Sequence, residues 1–218
     1  GEDLTGDGLY TDKDFKVRGT MLRHVDNVLL YILGVSIMYL FLSSFFFKEN
    51  PLLALLSSLL FLAHPLHTEV VANMKSRDEI LSLMFMILTL YFSFRYVEKK
   101  NNKLILWACL SYFIALLSKE YGASLLLITP LALYVYYRQM KFSDILMLMG
   151  GLVVTFGIYY YIRSGVVLDI GQSTVQDSEL LNNPYLLATE SQASATKVFI
   201  NLKYAILLLY PYVMSSDY

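Results

Sequence analysis

Apolar residues gather into long runs separated by short polar breaks. Val28 to Phe47 is a predominantly apolar stretch of about twenty residues, long enough as a helix to cross a bilayer core. Lys48-Glu49-Asn50-Pro51 then reads as a tight turn, with Pro51 suited to the first turn of the next helix. Residues 51–63 are apolar but short. They span only if the helix continues into His64 or is sunk among neighbours, and Pro65 kinks or ends it. Residues 80–94 make a further span, closed by Arg95 and the run Glu98-Lys99-Lys100-Asn101-Asn102-Lys103. Residues 104–117 follow. Ser118 to Gly122 interrupt them before Ala123 to Tyr137, whose aromatic end and Arg138 look like an interfacial belt. Residues 144–162 span again. Gly150, Gly151 and Gly157 offer a small-residue face, and Tyr159, Tyr160 and Tyr161 are expected as interfacial anchors. Residues 163–197 read as a polar loop with turn chemistry at Asn182-Asn183-Pro184. Residues 198–213, interrupted by Lys203 and Pro211, read as a re-entrant segment or a helix lying on the membrane. The pattern predicts an all-α polytopic membrane protein of about six spanning helices plus one re-entrant or interfacial helix. Its expected parts are a polar segment at 1–27, a transmembrane module at 28–162, a loop at 163–197 and a terminal segment at 198–218.

Composition agrees. The chain is 56% hydrophobic and 16% charged, where soluble domains carry about 25% charged residues. A net charge of −1 gives no basic surface for nucleic acid. Cys109 lies inside an apolar run and reads as a packed thiol. The chain opens in mid-loop at Gly1, without a signal peptide, and stops abruptly at Tyr218, which reads as an excerpt of a longer protein.

Charge sorts the polar breaks into two sets. Lys48, Arg95, Lys99, Lys100, Lys103, Arg138 and Lys141 fall on one side, which the positive-inside rule makes cytoplasmic. The other, extracytoplasmic, side collects the N-terminal segment, 64–79, 118–122 and 163–196. It therefore holds His64, His67, Glu69, Arg77, Asp78, Glu79, Lys119 and Glu120.

Three chemistries compete for these residues. His64, His67, Arg77 and Lys119 suit a phosphate, Arg through its fork and Lys as a point charge, with Glu69 or Glu79 orienting or acting as a base. His64, His67 and Glu69 also resemble a zinc set or a membrane metalloprotease site, although Pro65 disturbs the helix that would align them. A transporter or lipid-binding protein would use the same charges at mid-membrane, but no paired halves are visible. Separately, Asp3, Thr5, Asp7 and Asp14 around Gly8 have the spacing of a calcium loop, with Asp14 standing where Glu is usual.

The stretch His-Pro-Leu-His-Thr-Glu-Val-Val-Ala-Asn at 64–73, followed by Ser-Arg-Asp-Glu at 76–79, resembles the multi-spanning O-mannosyltransferases that carry tetratricopeptide repeats, and their bacterial relatives. Leu117 to Gly122, Tyr210-Pro211 with Ser215 to Tyr218, and His24 with Asn27 to Tyr31 resemble further motifs of that family, in the same order. The resemblance implies a GT-C type glycosyltransferase of the bacterial inner membrane or endoplasmic reticulum. Such an enzyme transfers a sugar, mannose in this family, with inversion from a polyprenyl-phosphate donor to a protein or glycan acceptor outside the cytoplasm. In that frame His64, His67, Arg77 and Lys119 hold the donor phosphate, and Glu69, Glu79 and Glu120 orient or assist. The resemblance fixes no cofactor beyond the lipid-linked donor, and a divalent metal is compatible with the set. Two departures stand out. The acidic motif that carries the family's base is expected ahead of Gly1, and the family's Tyr-Arg-Pro-Leu stretch is not found, since Tyr10 is followed by Thr11-Asp12-Lys13. The repeats are expected beyond Tyr218. The chain by itself is therefore expected to be an incomplete, inactive portion of the enzyme.

Overall fold

The computed structural model describes residues 12–73, 75–138, 141–170 and 187–211, of which 12–20 and 166–170 by their backbone alone. Its helices are α1 (Asp12–Phe45), α2 (Pro51–Leu62), α3 (His67–Ala72), α4 (Arg77–Lys99), α5 (Lys103–Ser118), α6 (Leu125–Tyr136), α7 (Phe142–Ile170) and α8 (Glu190–Leu209), with a 3-10 turn at Glu120–Ser124 between α5 and α6. No strand occurs among the described residues. The chain divides into two units, Gly1–Ile162 and Arg163–Tyr218.

Three segments, Met21–Phe45, Arg77–Lys99 and Phe142–Gly165, are long and apolar enough to cross a membrane; Pro51–Leu62, Lys103–Ser118 and Glu120–Tyr136 are shorter apolar helices. The expected bundle of apolar helices is thus present, with three segments of full spanning length among the described residues. Large apolar side chains such as Leu60, Leu106, Leu127 and Leu131 point outward, as a lipid surroundings requires.

In the first unit α4 is the central helix, packed against α5 and α1. Its buried face sets small polar residues among larger apolar ones: Ser82, Thr89 and Ser93 are fully buried beside Ile80, Met84, Ile87 and Phe94. Thr89 and Ser93 donate back to the carbonyls of Phe85 and Thr89, four residues earlier, at 2.8 and 2.7 Å. Ser82 instead donates across to the Ala115 carbonyl of α5 at 3.2 Å. Small residues let helix backbones approach closely where apolar burial from water cannot drive association. Ala108 and Ala115 complete this seam from α5, both fully buried.

The end of α4 near Lys99 is closed by aromatic rings. Phe94 sits 5.1 to 5.6 Å, centre to centre, from Phe41, Phe45, Tyr136 and Tyr137. The Tyr136 hydroxyl donates to the Phe45 carbonyl, which ends α1. Arg95 lies over the Phe45 ring at 5.0 Å and pairs with Glu98 at 3.1 Å, and Glu98 also holds Lys48 at 2.7 Å. Lys100 pairs with Asp144 at the start of α7.

Several boundaries differ from expectation. α1 starts at Asp12, well inside the segment read as polar, and α7 runs on to Ile170. α8 starts at Glu190, inside the expected loop, behind a capping box: Gln192 N–H donates to Thr189 Oγ1 at 3.4 Å and Thr189 N–H to Gln192 Oε1 at 2.9 Å. That Thr-x-x-Gln signal is legible in the sequence. The expected small-residue face of α7 reduces to one glycine. A Cβ on Gly151 would meet Cys109 Sγ at 3.0 Å and Ile105 Cγ2 at 3.2 Å, whereas Gly150 and Gly157 face open space. Asp3, Thr5 and Asp7 of the calcium-loop candidate, the side chain of Asp14, and Ser215 to Tyr218 lie outside the described residues.

Gly151→Leu is expected to lower the melting temperature in detergent by several degrees by prising α7 from α5, while Gly150→Leu leaves it nearly unchanged. Parallel thermal scans of the two variants check this; equal effects would refute the α5–α7 contact.

Candidate functional site

The site is built where the chain leaves α2. In a continuing helix the Phe61 carbonyl would accept from the backbone N–H four residues on, but that residue is Pro65, which has none. The chain turns instead, and His64 N–H reaches Phe61 O only in a tighter bond of 3.2 Å. Side chains make up the deficit. His67 Nδ1 lies 2.7 Å from Phe61 O, and the Tyr31 hydroxyl donates to the carbonyls of Phe61 and Leu62 at 3.4 and 3.3 Å. Tyr31 Oη is also 2.9 Å from His67 Nδ1. Beside it, His64 Nδ1 accepts the Leu66 N–H at 3.3 Å. Tyr31, His64, His67 and Thr68 line a cleft of about 380 Å³. Burial pushes the His67 imidazole below its ordinary pKa; the Phe61 carbonyl pulls the other way, and nearby His64 adds to the lowering.

The second half forms where α3 gives way to α4. Asn27, on α1, is fully buried. Its Nδ2 donates to the Asn73 carbonyl at 3.0 Å, and its Oδ1 accepts from Arg77 Nε at 3.2 Å. Arg77 Nη2 donates to the Arg23 carbonyl at 3.3 Å and faces Asp26 at 3.6 Å. One edge of the guanidinium is thus spent on α1. Asp78 and Glu79 follow in the first turn of α4 and meet Lys119, whose Nζ is 2.8 Å from Asp78 Oδ2 and 3.0 Å from Glu79 Oε1. Lys119 has extended backbone between α5 and the 3-10 turn, which frees its side chain from a helix face. Its ammonium is held above the ordinary lysine range by the hydrogen bonds to Asp78 and Glu79. Tyr121 closes the group, its hydroxyl donating to Glu79 Oε2 at 3.1 Å.

The sequence-predicted residues therefore separate. Glu79 and Lys119 pair directly, Arg77 lies in the same first turn of α4 but reaches toward α1, and His64 and His67 share the cleft. Asn27 and Tyr31, one helical turn apart on α1, hold the two together. Glu69 is exposed on α3, and Glu120 is exposed at the start of the 3-10 turn; no described contact brings Glu69 to either cluster. Among the described residues no group of three His, Cys, Asp or Glu side chains is placed to hold a metal ion, so His64, His67 and Glu69 do not form the zinc set considered from the sequence. Asn27, Tyr31, Asp78 and Tyr121 were given no role by the sequence. For Asn27 and Tyr31 the signal was available: two polar groups at i and i+4 on one face of an otherwise apolar helix.

The sequence profile of the family described as dolichyl-phosphate-mannose-protein mannosyltransferase matches residues 16–166. Among curated proteins, the chain is similar to Protein O-mannosyl-transferase TMTC4 of Homo sapiens, at 31% identity over 47% of this chain and 16% of that protein. The chain thus spans about a sixth of the length of that relative. No solved structure matches.

Asn27→Leu leaves the Asn73 carbonyl and Arg77 without their buried partner and is expected to cost about 2 kcal/mol; Tyr31→Phe, at a more open position, costs less. Chemical unfolding in detergent checks the order. His67 adds a pH dependence. Its folded-state pKa lies below the ordinary 6.5, so on acidification the unfolded chain takes the proton first. Its contribution is full above about 6.5 and is lost as pH falls through the lower folded value. His67→Asn should flatten that part of the stability profile; an unchanged slope would contradict the half-buried neutral imidazole.

Proposed function

The chain belongs to the dolichyl-phosphate-mannose-protein mannosyltransferase family, and on that premise we propose that it forms part of a membrane mannosyltransferase. In this reading mannose passes from a polyprenyl-phosphate donor to a protein or glycan hydroxyl, at the membrane face that bears Arg77 and Lys119. The observation that carries the reading is that Arg77, in the first turn of α4, and Lys119, paired with the next two residues of that turn, stand with the histidine-lined cleft at one end of an apolar helical bundle. An apolar groove of about 260 Å³, lined by Ile32, Val35, Leu55 and Leu59 among others, runs between α1 and α2 and shares Leu62 with the cleft. A prenyl chain lying in that groove would bring its phosphate to the polar end.

At that end the unspent edge of Arg77 and the Lys119 ammonium take the phosphate oxygens, together with His64. As the bond between the sugar and the phosphate breaks, negative charge grows on the leaving phosphate, and preformed cations lower the barrier by meeting it there. Lys119 exchanges its carboxylate partners for phosphate. Glu79, tethered by Tyr121, keeps the ammonium aligned, and the exposed Glu69 and Glu120 orient the acceptor. This face is assigned outside the cytoplasm, because the opposite end of the bundle carries Lys48, Arg95, Lys99, Lys100 and Lys103. The bacterial inner membrane and the endoplasmic reticulum both satisfy that sidedness.

The test is mannose transfer by the full-length protein in detergent from polyprenyl-phosphate mannose. Arg77→Ala and Lys119→Ala should each lower kcat/KM about 100-fold. Leu59→Trp, which fills the groove, should raise KM for long prenyl donors more than for short ones while leaving kcat largely intact. A folded protein that transfers from no lipid-linked sugar would return the site to binding or transport.

A further inference from the structure

We propose that His67 is a hydroxyl-recognising residue, its Nε2 accepting a hydrogen bond from a hydroxyl of the bound sugar or of the acceptor. The inference rests on the sugar-transfer reading and removes His67 from the set of phosphate ligands expected from the sequence.

The tautomer follows from the Phe61 carbonyl. A carbonyl oxygen only accepts, so at 2.7 Å from His67 Nδ1 the proton between them belongs to Nδ1. The opposite assignment would set two lone pairs against each other at hydrogen-bond distance. Tyr31 does not reverse this, because its hydroxyl has the Phe61 and Leu62 carbonyls to donate to. With Nδ1 protonated, the neutral ring carries its lone pair on Nε2, and every described hydrogen bond of the ring is at Nδ1. The ring lines the cleft, so Nε2 is the nitrogen left for a ligand there.

The charge state supports the same conclusion. The titratable groups facing the ring are Tyr31 from α1 and His64 from the bend. Neither is anionic near neutrality, and burial together with His64 disfavours the imidazolium. A neutral imidazole offering a lone pair repels the anionic phosphodiester of the donor and suits a hydroxyl donor. Arg77 and Lys119 remain for the anion. The site then divides its work: cations for the phosphate, a lone pair for a hydroxyl.

His67→Asn separates this role from the structural one. The Asn amide N–H replaces Nδ1–H toward the Phe61 carbonyl, but no atom stands where Nε2 was. The full-length protein in detergent is titrated with polyprenyl-phosphate mannose and with its monodeoxy analogues, wild type against His67→Asn. If the hydroxyl belongs to the donor, one deoxy analogue binds the wild type about 10-fold more weakly, and the variant loses that discrimination alone. If it belongs to the acceptor, donor binding is unchanged, but the variant raises KM for a threonine-containing peptide and removes the acid limb of the kcat/KM profile. Equal binding and equal KM in both proteins, or a uniform loss across all donors, overturns the proposal. A nitrogen-15 histidine spectrum, assigned by the signal missing in His67→Asn, reads the tautomer independently; a protonated Nε2 near pH 7.5 also overturns it. A wild type that binds none of these donors sinks the transfer reading and this ligand with it, while an unprotonated Nε2 in that spectrum would show that the tautomer itself was read correctly.

Discussion

The site depends on one constraint: backbone carbonyls released where α2 ends must find donors. Pro65 ends α2 by withholding an N–H, and the chain then turns through α3 before α4 begins. A single helix supplies much of the repair. From α1, Tyr31 serves the carbonyls of Phe61 and Leu62, and Asn27 serves that of Asn73. Away from water, an unmet carbonyl costs far more than a bond merely exchanged with solvent. The chemically rich stretch is therefore tied to α1, and the side chains that hold it also fix the orientation of His67 and Arg77.

Magnitudes distinguish the frame from the working parts. Asn27 is fully buried, and both polar ends of its amide are engaged, so breaking it leaves buried groups unpaired. Lys119, Asp78 and Glu79 are each more than a third exposed or close to it, at 35%, 40% and 36% of their side-chain surface. Ion pairs of that exposure contribute little to stability, so the Lys119 ammonium is held in place by contacts that exchange readily.

The sequence made the helical membrane architecture legible because apolar runs and polar breaks are strong signals, and α2, α5 and α6 lie close to their expected spans. It also made the candidate site residues legible, since His64, His67, Arg77, Glu79 and Lys119 stand out from apolar surroundings. It did not show their division into two groups, because that is decided by contacts from α1 across more than thirty residues of sequence. It missed the helical start of α1 and the onset of α8, where polar composition was read as loop although a capping box stood at Thr189. The glycines of α7 misled for a related reason. Small residues mark a close contact only when a neighbour faces them, and sequence does not say which of Gly150, Gly151 and Gly157 has one.

The far end of the bundle bears on the chemistry as well. α4 is roughly 34 Å long at 1.5 Å per residue, with Arg77 at one end and the rings of Phe94, Phe45 and Tyr136 near the other. Those rings, with Arg95 over Phe45, clamp α1 to α4 at their shared base. A helix pinned at its base and along a small-residue seam has little freedom to slide. The hydrogen bonds near its other end, Arg77 to Asn27 and His67 to Tyr31, then hold their spacing. Side chains set on packed helices are positioned more finely than side chains set on loops alone. The bend from His64 to Ser76 gains that precision by borrowing its contacts from α1, so the aromatic clamp at one end of the bundle helps define the geometry of the polar site at the other.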